Sequence, residues 1–229
     1  MLEQMRKHMN WIMWGILAVI IVTFLFFGIY PSQSGQGVAA KVNGDIITSS
    51  EVGRVYRNMV ETYRQIFKDQ FNDSMAKTLQ DQALRDLIQN RLLVQEAKRI
   101  GITVSDDEVR RAIMSVPSFA PQGQFSQAEY ERYLDYINMK PSVFEETQRD
   151  YLLKRKIERL VEDSVAVTDL EVASAYASRN PKAKPGDFEK NKTTFKQQML
   201  SEKRNSALEA YVQELAKKAT IVKGKSMES

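Results

Sequence analysis

Apolar residues recur every three or four positions through most of the chain after Thr48, a spacing that gathers side chains on one face of an α-helix. Glycine and proline interrupt this spacing, most clearly at Gly101 and at Asn180-Pro181. The pattern predicts a mainly α-helical fold, with helices over Ser49–Phe71, Ser74–Ile100, Ser105–Val116, Ser126–Asn138, Pro141–Asp163, Thr168–Arg179 and Phe188–Ala219. The second helix has the widest apolar face, and we expect it to be the centre of the core.

The starts of several of these helices carry a Ser or Thr followed three residues later by Glu. In such a capping box the hydroxyl accepts a hydrogen bond from the third amide of the helix, and the Glu side chain accepts one from the capping residue's own amide. The pattern occurs at Thr48/Glu51, Ser105/Glu108, Ser126/Glu129, Ser142/Glu145 and Thr168/Glu171. Asp106, Asp107 and Glu108 are therefore interpreted as first-turn helix acids and not as an acidic site.

Two short apolar runs on either side of Asn43-Gly44 predict a β-hairpin, because Asn-Gly readily adopts the positive φ angles of a type I′ turn. A last apolar run, residues 219–224, has no neighbouring strand in sequence. We expect it to pair with the hairpin and to close a domain over residues 38–224, with residues 225–229 as a tail. Residues 180–187 are basic and broken by proline, and they predict a linker before the closing helix.

Residues 11–30 form an uninterrupted run without charge. As a helix this run spans about 30 Å, the thickness of the hydrocarbon core of a bilayer. Trp11, Trp14 and Tyr30 lie near its ends, where amphipathic rings favour the membrane interface. The segment therefore predicts a single transmembrane helix that serves as a membrane anchor.

The charges that flank the run predict its orientation. Arg6 and Lys7 precede it, whereas the first basic residue after it is Lys41, so residues 1–10 are expected in the cytoplasm and the rest across the membrane. Residues 31–37 are polar and form a short tether. One alternative is a cleaved signal peptide, but the run is long for one and residues 26–30 offer no small-x-small cleavage site. The other alternative is that residues 11–30 form a buried helix in the core of a soluble protein.

The composition excludes several classes of function. The chain has no Cys, which excludes disulfides, thiol nucleophiles and thiolate metal sites, and it has a single His. We find no catalytic or metal-ligating set of residues and expect no cofactor. The net charge of +4 is small, and the predicted topology also argues against nucleic acid as a partner. A basic cluster predicts a solvated helix face, with anionic lipid or nucleic acid as the alternative ligand: Lys154, Arg155, Lys156 and Arg159.

Methionine and aromatic side chains are the best candidates for binding a partner. Methionine is flexible and polarizable, so it adapts to varied apolar surfaces. The candidates for contact with an apolar partner are Met59, Phe67, Met114, Phe119, Phe125, Tyr133 and Met139. Each could instead fill the core between helices. The choice is most open for Phe119 and Phe125, which lie in a loop with proline and glycine.

The order of these features resembles the SurA/PpiD family of periplasmic chaperones, and in particular its inner-membrane-anchored type. The resemblance rests on the anchor, on AAKVNGDIIT, on GITVSDDEV followed by GQFSQAEYERYL, and on the closing FKQQMLSEKRNSALEAYVQELAKKATI. It implies a SurA N-terminal-like chaperone domain on the periplasmic side of a bacterial inner membrane. It also implies holdase binding of unfolded or nascent translocated polypeptides, with the Sec translocon as a further candidate partner.

The sequence departs from this family at one point. Members carry a parvulin isomerase domain between the sixth helix and the closing helix, where this chain has only residues 180–187. Its only histidine, His8, lies on the predicted cytoplasmic side. We therefore expect a holdase for secreted or outer-membrane proteins, and not an enzyme. The alternatives are a degenerate prolyl isomerase and a tethered subunit that holds one fixed partner in an envelope complex.

Overall fold

The computed structural model describes residues 37–224 except 122, 183 and 185. This part of the chain is mainly helical and contains one small sheet. The strands are β1 Val38–Val42, β2 Asp45–Thr48 and β3 Ile221–Lys223. The helices are α1 Ser49–Phe67, α2 Asp73–Arg99, α3 Asp106–Met114, α4 Gln127–Tyr136, α5 Pro141–Asp163, α6 Asp169–Arg179 and α7 Asp187–Lys218. Short 3-10 turns occur at Lys68–Gln70 and Pro117–Phe119.

Between residues 37 and 224, no described helix is long and apolar enough to cross a bilayer. The predicted anchor at residues 11–30, including Trp11, Trp14 and Tyr30, lies outside the described residues. So do residues 1–10, the tail and all of the predicted tether except Gly37.

The sheet joins the beginning and the end of the described chain. Its strand order is β2-β1-β3, and both pairings are antiparallel. Asn43 and Gly44 have φ angles of 51° and 93°, which confirms the predicted turn. The Asn43 amide donates to the Thr220 carbonyl at 2.9 Å, and Thr220 N–H donates to Asn43 Oδ1 at 2.9 Å. The last apolar run therefore pairs with the hairpin, as predicted.

Three of the five predicted capping boxes form completely, those that begin at Thr48, Ser105 and Thr168. At the start of α4, the Ser126 hydroxyl accepts a hydrogen bond from the Glu129 amide, but the capping box is not complete. The expected box at Ser142 is wrong. Pro141 occupies the first turn of α5, where its missing amide costs nothing, and Lys140 becomes the N-cap.

The core has three apolar clusters, and α2 contributes to two of them. The first packs the sheet against α1 and α2, and the second packs α2 against α5 and α7. The third lies between α3, α4 and α5. The prediction that α2 is central is confirmed. Ile100, the last residue of the predicted helix, lies at its C-cap and is 41% exposed.

The closing helix α7 contacts α2, α5 and α6. Val212 is buried in the second cluster beside Leu93 and Ile157. The Tyr211 hydroxyl donates to Glu96 Oε1 at 3.1 Å, and the Lys203 ammonium lies 2.6 Å from Glu171 Oε1. The end of the chain thus helps to bury residues from its first half.

Candidate client-binding surfaces

The seven predicted client-binding residues fall on two separate parts of the structure. Met59 and Phe67 lie on α1. The other five surround the third cluster, between α3 and the start of α5: Met114, Phe119, Phe125, Tyr133 and Met139.

The first part is the apolar stripe of α1, which is buried at one end and open at the other. Val52 is 3% exposed, and Met59 is half-buried against the first cluster. Further along the helix, Tyr63 is 38%, Ile66 66% and Phe67 38% exposed. We call these three residues the arm surface. They continue the helical spacing of the buried stripe, so an apolar face emerges from the core into solvent.

The end of α1, next to the arm surface, differs from the prediction. The sequence predicts a helix to Phe71, but α1 ends at Phe67 because Lys68 has a positive φ of 45°. The Tyr63 and Phe67 rings stack with centroids 5.6 Å apart. The Arg64 guanidinium lies 5.3 Å from the centre of the Phe71 ring. These local contacts order the arm surface and leave it accessible.

The second part is a groove of about 360 Å³ between α3, α4 and α5, which we call the groove. Its apolar lining is Val109, Ile113, Met114, Phe125 and Tyr130, and its polar rim is Asp106, Arg110, Gln127, Glu145 and Arg149. The groove brings together two of the predicted residues, Met114, which is 46% exposed, and Phe125, which is half-buried.

Phe119 corrects one prediction. It is only 2% exposed, so in this conformation its ring offers no surface to a client. The ring makes edge contacts with Tyr130, Tyr133 and Phe144 at centroid distances of 5.5, 5.2 and 6.2 Å. Its carbonyl also accepts a 2.7 Å hydrogen bond from the Ser126 amide. Phe119 is therefore the packing residue that holds the loop before α4.

The two remaining candidates lie at the edge of this aromatic cluster. Tyr133 is 40% exposed and contacts Phe119 from the outer side. Met139 is half-buried against the same cluster. Neither residue lines the groove, whereas Met114 and Phe125 both do.

Sequence reasoning did not select Tyr130. Its side chain is 6% exposed, and its hydroxyl has no hydrogen-bond partner among the described residues. Burial raises the pKa of this phenol, and the nearby Glu145 carboxylate adds to the effect. Nothing in the residue spacing signals an unpaired hydroxyl, because that depends on three helices packing together.

Ion pairs neutralise many of the charges beside the groove. Arg149 pairs with Asp106 and with Glu146, and Arg110 pairs with Asp107 at 3.0 Å. The Arg149–Asp106 pair links α5 to the first turn of α3. The groove therefore has an apolar floor, and three of its four charged rim residues, Asp106, Arg110 and Arg149, take part in ion pairs.

The predicted basic cluster on α5 also has acidic neighbours. Lys156 lies 2.6 Å from Glu108, and its ammonium donates to the Thr103 carbonyl at 2.8 Å. The Lys156 hydrogen bond, helped by the Ser105 amide, lowers the pKa of Glu108 to about 2. Lys154 and Arg155 pair with Glu158. No group of three or more acidic or histidine side chains in the described ranges is placed to hold a metal ion.

Comparison with known proteins places these features in a family. Residues 1–158 match the profile of the SurA-like N-terminal domain. The chain belongs to this family. The resemblance seen in the sequence is therefore confirmed.

Curated relatives match over about two thirds of the chain. The periplasmic chaperone PpiD of Escherichia coli K12 is 28% identical over 165 residues, which are 69% of this chain and 26% of that protein. The chaperone SurA of Bordetella avium is 35% identical over 163 residues, which are 67% of this chain and 30% of that protein. The match thus spans less than a third of the length of either relative.

A solved structure of a SurA-like chaperone from Campylobacter jejuni shares the fold. It aligns with a TM-score of 0.52 and 14% identity over 82% of this chain and 99% of the solved one. At this identity the likeness concerns the arrangement of helices and strands alone.

Proposed function

We propose that this protein is a membrane-anchored holdase, which binds unfolded apolar segments of secreted or outer-membrane proteins in the periplasm. The observation that carries the proposal is the pair of apolar surfaces on a SurA-like domain, the arm surface and the groove. Exposed apolar patches on a soluble domain mark interaction sites, because leaving them in water is unfavourable.

The chemistry of these surfaces suits clients of varied sequence. The arm surface presents two aromatic rings and an isoleucine on a single helix, and Met114 lies at the groove. Apolar contact makes few demands on geometry, and a flexible Met adapts to different partners. Binding of this kind is weakly dependent on salt, because screening acts on charges and not on apolar contacts.

The location is proposed from the sequence and from the relatives. Residues 11–30 supply a hydrophobic stretch long enough to span a bilayer, with basic residues before it. The similar protein PpiD of Escherichia coli is named a periplasmic chaperone. An anchored holdase would meet polypeptides as they emerge from the membrane.

We further propose that the protein acts without catalysis. The connection from α6 to α7 runs only from Asn180 to Gly186, so no isomerase domain is inserted at the position where the family carries one. In this proposal, the protein acts through apolar contacts of the arm surface and the groove with its clients, and not through a reactive side chain.

Light scattering tests the proposal directly. The full chain in lipid nanodiscs is mixed with a chemically unfolded protein that aggregates on dilution, and empty nanodiscs are the control. We expect slower and smaller scattering as the chaperone concentration approaches that of the client. Unchanged scattering at a molar excess of the protein would contradict holdase activity. In a separate assay, faster cis/trans exchange of a proline-containing peptide would favour the isomerase alternative.

A further inference from the structure

The groove has the size and shape of a ligand site. Its volume of about 360 Å³ lies within the usual range for ligand pockets, roughly 300–1,000 Å³. One wall is the face of α3 that carries Val109, Ile113 and Met114. Phe125 and Tyr130 line it as well.

Tyr130 gives this groove a polar group that the protein itself does not use. Its ring is held among Phe119, Phe125 and Phe144, with centroid distances of 5.5, 6.0 and 5.8 Å. Its hydroxyl is buried and lacks a hydrogen-bond partner among the residues that the structure describes. Buried polar groups are nearly always paired, and an unpaired one in a groove points to a ligand that completes the pair.

The surroundings of the hydroxyl limit what that ligand can be. Burial and the Glu145 carboxylate both raise the pKa of Tyr130, so the phenol keeps its proton and can donate. Asp106, Arg110 and Arg149 on the rim are already engaged in ion pairs. The negative charge of the Glu145 carboxylate disfavours a second anion near the hydroxyl. An uncharged acceptor therefore fits better than an ionised one, and a main-chain carbonyl is such an acceptor.

We infer that the groove binds an extended, uncharged stretch of unfolded polypeptide, with an apolar side chain against Ile113, Met114 and Phe125 and a main-chain carbonyl that accepts a hydrogen bond from the Tyr130 hydroxyl. The inference rests on the proposed function and assigns it a site and a recognising group. The hydroxyl is shielded from solvent in the free protein, so the bond forms as the lining side chains move apart. Met114 has the rotatable bonds for this movement.

The variant Tyr130→Phe tests the hydroxyl alone, because it removes one oxygen and keeps the ring. The full chain in nanodiscs is titrated against a short fluorescein-labelled peptide of Leu, Val, Ser and Thr, and anisotropy reports binding. We expect Tyr130→Phe to weaken binding about 3- to 10-fold, as befits one lost hydrogen bond. Its midpoint of thermal unfolding should be unchanged or higher, because an unpaired buried hydroxyl is lost. Tyr136→Phe on the same helix is the matched control, since Tyr136 is 86% exposed, and it should bind as the wild type does.

The variant Met114→Asp tests the groove apart from the hydroxyl, with Leu170→Asp as the control. Leu170 is 81% exposed on α6 and does not line the groove. We expect Met114→Asp to weaken peptide binding more than Leu170→Asp does. If the wild type binds the peptide and both groove variants match it, the groove is not the site, although the proposed function stands. If only Tyr130→Phe matches the wild type, the role of the hydroxyl is overturned. A wild type that binds no peptide would overturn the proposed function itself.

Discussion

Ile157 lies in the apolar cluster where α2, α5 and α7 pack together, so its truncation tests this packing directly. Its side chain is 0% exposed in the second cluster, beside Leu93, Val94 and Val212. Replacing Ile157 by Ala removes three carbon atoms, which corresponds to about 2.4 kcal/mol of transfer free energy at roughly 0.8 kcal/mol for each buried carbon. The cavity that remains adds to this cost, and large-to-small core changes of this kind reach about 2–5 kcal/mol.

We therefore expect Ile157→Ala to lower the free energy of unfolding by about 3–4 kcal/mol. The assay is urea unfolding of a fragment that covers residues 37–224, followed by circular dichroism of the helices. Leu160 supplies a matched control, because it lies one turn later on α5 and is 56% exposed. Leu160→Ala should cost less than about 1 kcal/mol. Equal costs for the two variants, or a cost below about 1 kcal/mol for Ile157→Ala, would refute the packing of α7 onto α2 and α5.

Three further predictions concern the closing helix, acid stability and the arm surface. Truncation after Asn180 removes α7 and β3. It should lower the free energy of unfolding by several kcal/mol, comparable to the truncation of multiple core side chains. A truncated protein that is monomeric and equally stable would contradict this prediction. The pKa of Glu171 is about 2, lowered first by its hydrogen bond from Lys203 and then by the Thr168 amide, against an ordinary value of 4.5. The stability that the Glu171 carboxylate contributes is therefore complete above about pH 4.5 and is lost as the pH falls toward 2. Lys203→Gln should make the free energy of unfolding less dependent on pH in that window. An unchanged dependence on pH would count against the Lys203–Glu171 pair. Ile66→Ser should weaken the suppression of client aggregation and change the free energy of unfolding little, because Ile66 is 66% exposed. A loss of stability as large as that of Ile157→Ala would mean that Ile66 is a core residue.

Much of the fold follows from local patterns in the sequence. The predicted bounds of α5, Pro141 and Asp163, match the structure; proline suits the first turn of a helix, and the next capping box begins at Thr168. Asn43-Gly44 predicts its turn by backbone preference alone. The pairing of β3 with β1 followed by elimination, since no nearer strand was available.

The arrangement of the candidate site could be predicted only in part. The sequence identified Met59 and Phe67 as candidates on the first helix, but not the point at which the apolar stripe of that helix leaves the core. Phe119 and Phe125 look alike in sequence, yet one is buried and the other lines the groove. The difference arises from how the loop packs against Tyr130 and Phe144, which are distant contacts that no local pattern encodes.

Failures of local rules have identifiable causes. Ser142 and Glu145 match a capping box, but the helix starts at Pro141 with Lys140 as its N-cap, two positions before Ser142, and the box does not form. Glu129 pairs with Arg132 instead of returning to the amide of Ser126. At Ser142 the cause is an earlier helix start, and at Ser126 it is Arg132, which binds the Glu129 carboxylate.

Site-specific photocrosslinking in living cells tests the central claim most directly. A photoreactive residue is placed at Ile66 on the arm surface, at Met114 in the groove, and at Glu209, an exposed position on α7, in the full chain in its native membrane. We expect Ile66 and Met114 to crosslink to many different newly exported polypeptides, each in small amount, and Glu209 to crosslink to few. A single stoichiometric partner at all three positions, or no crosslinks above those of Glu209, would contradict the account of this protein as a chaperone.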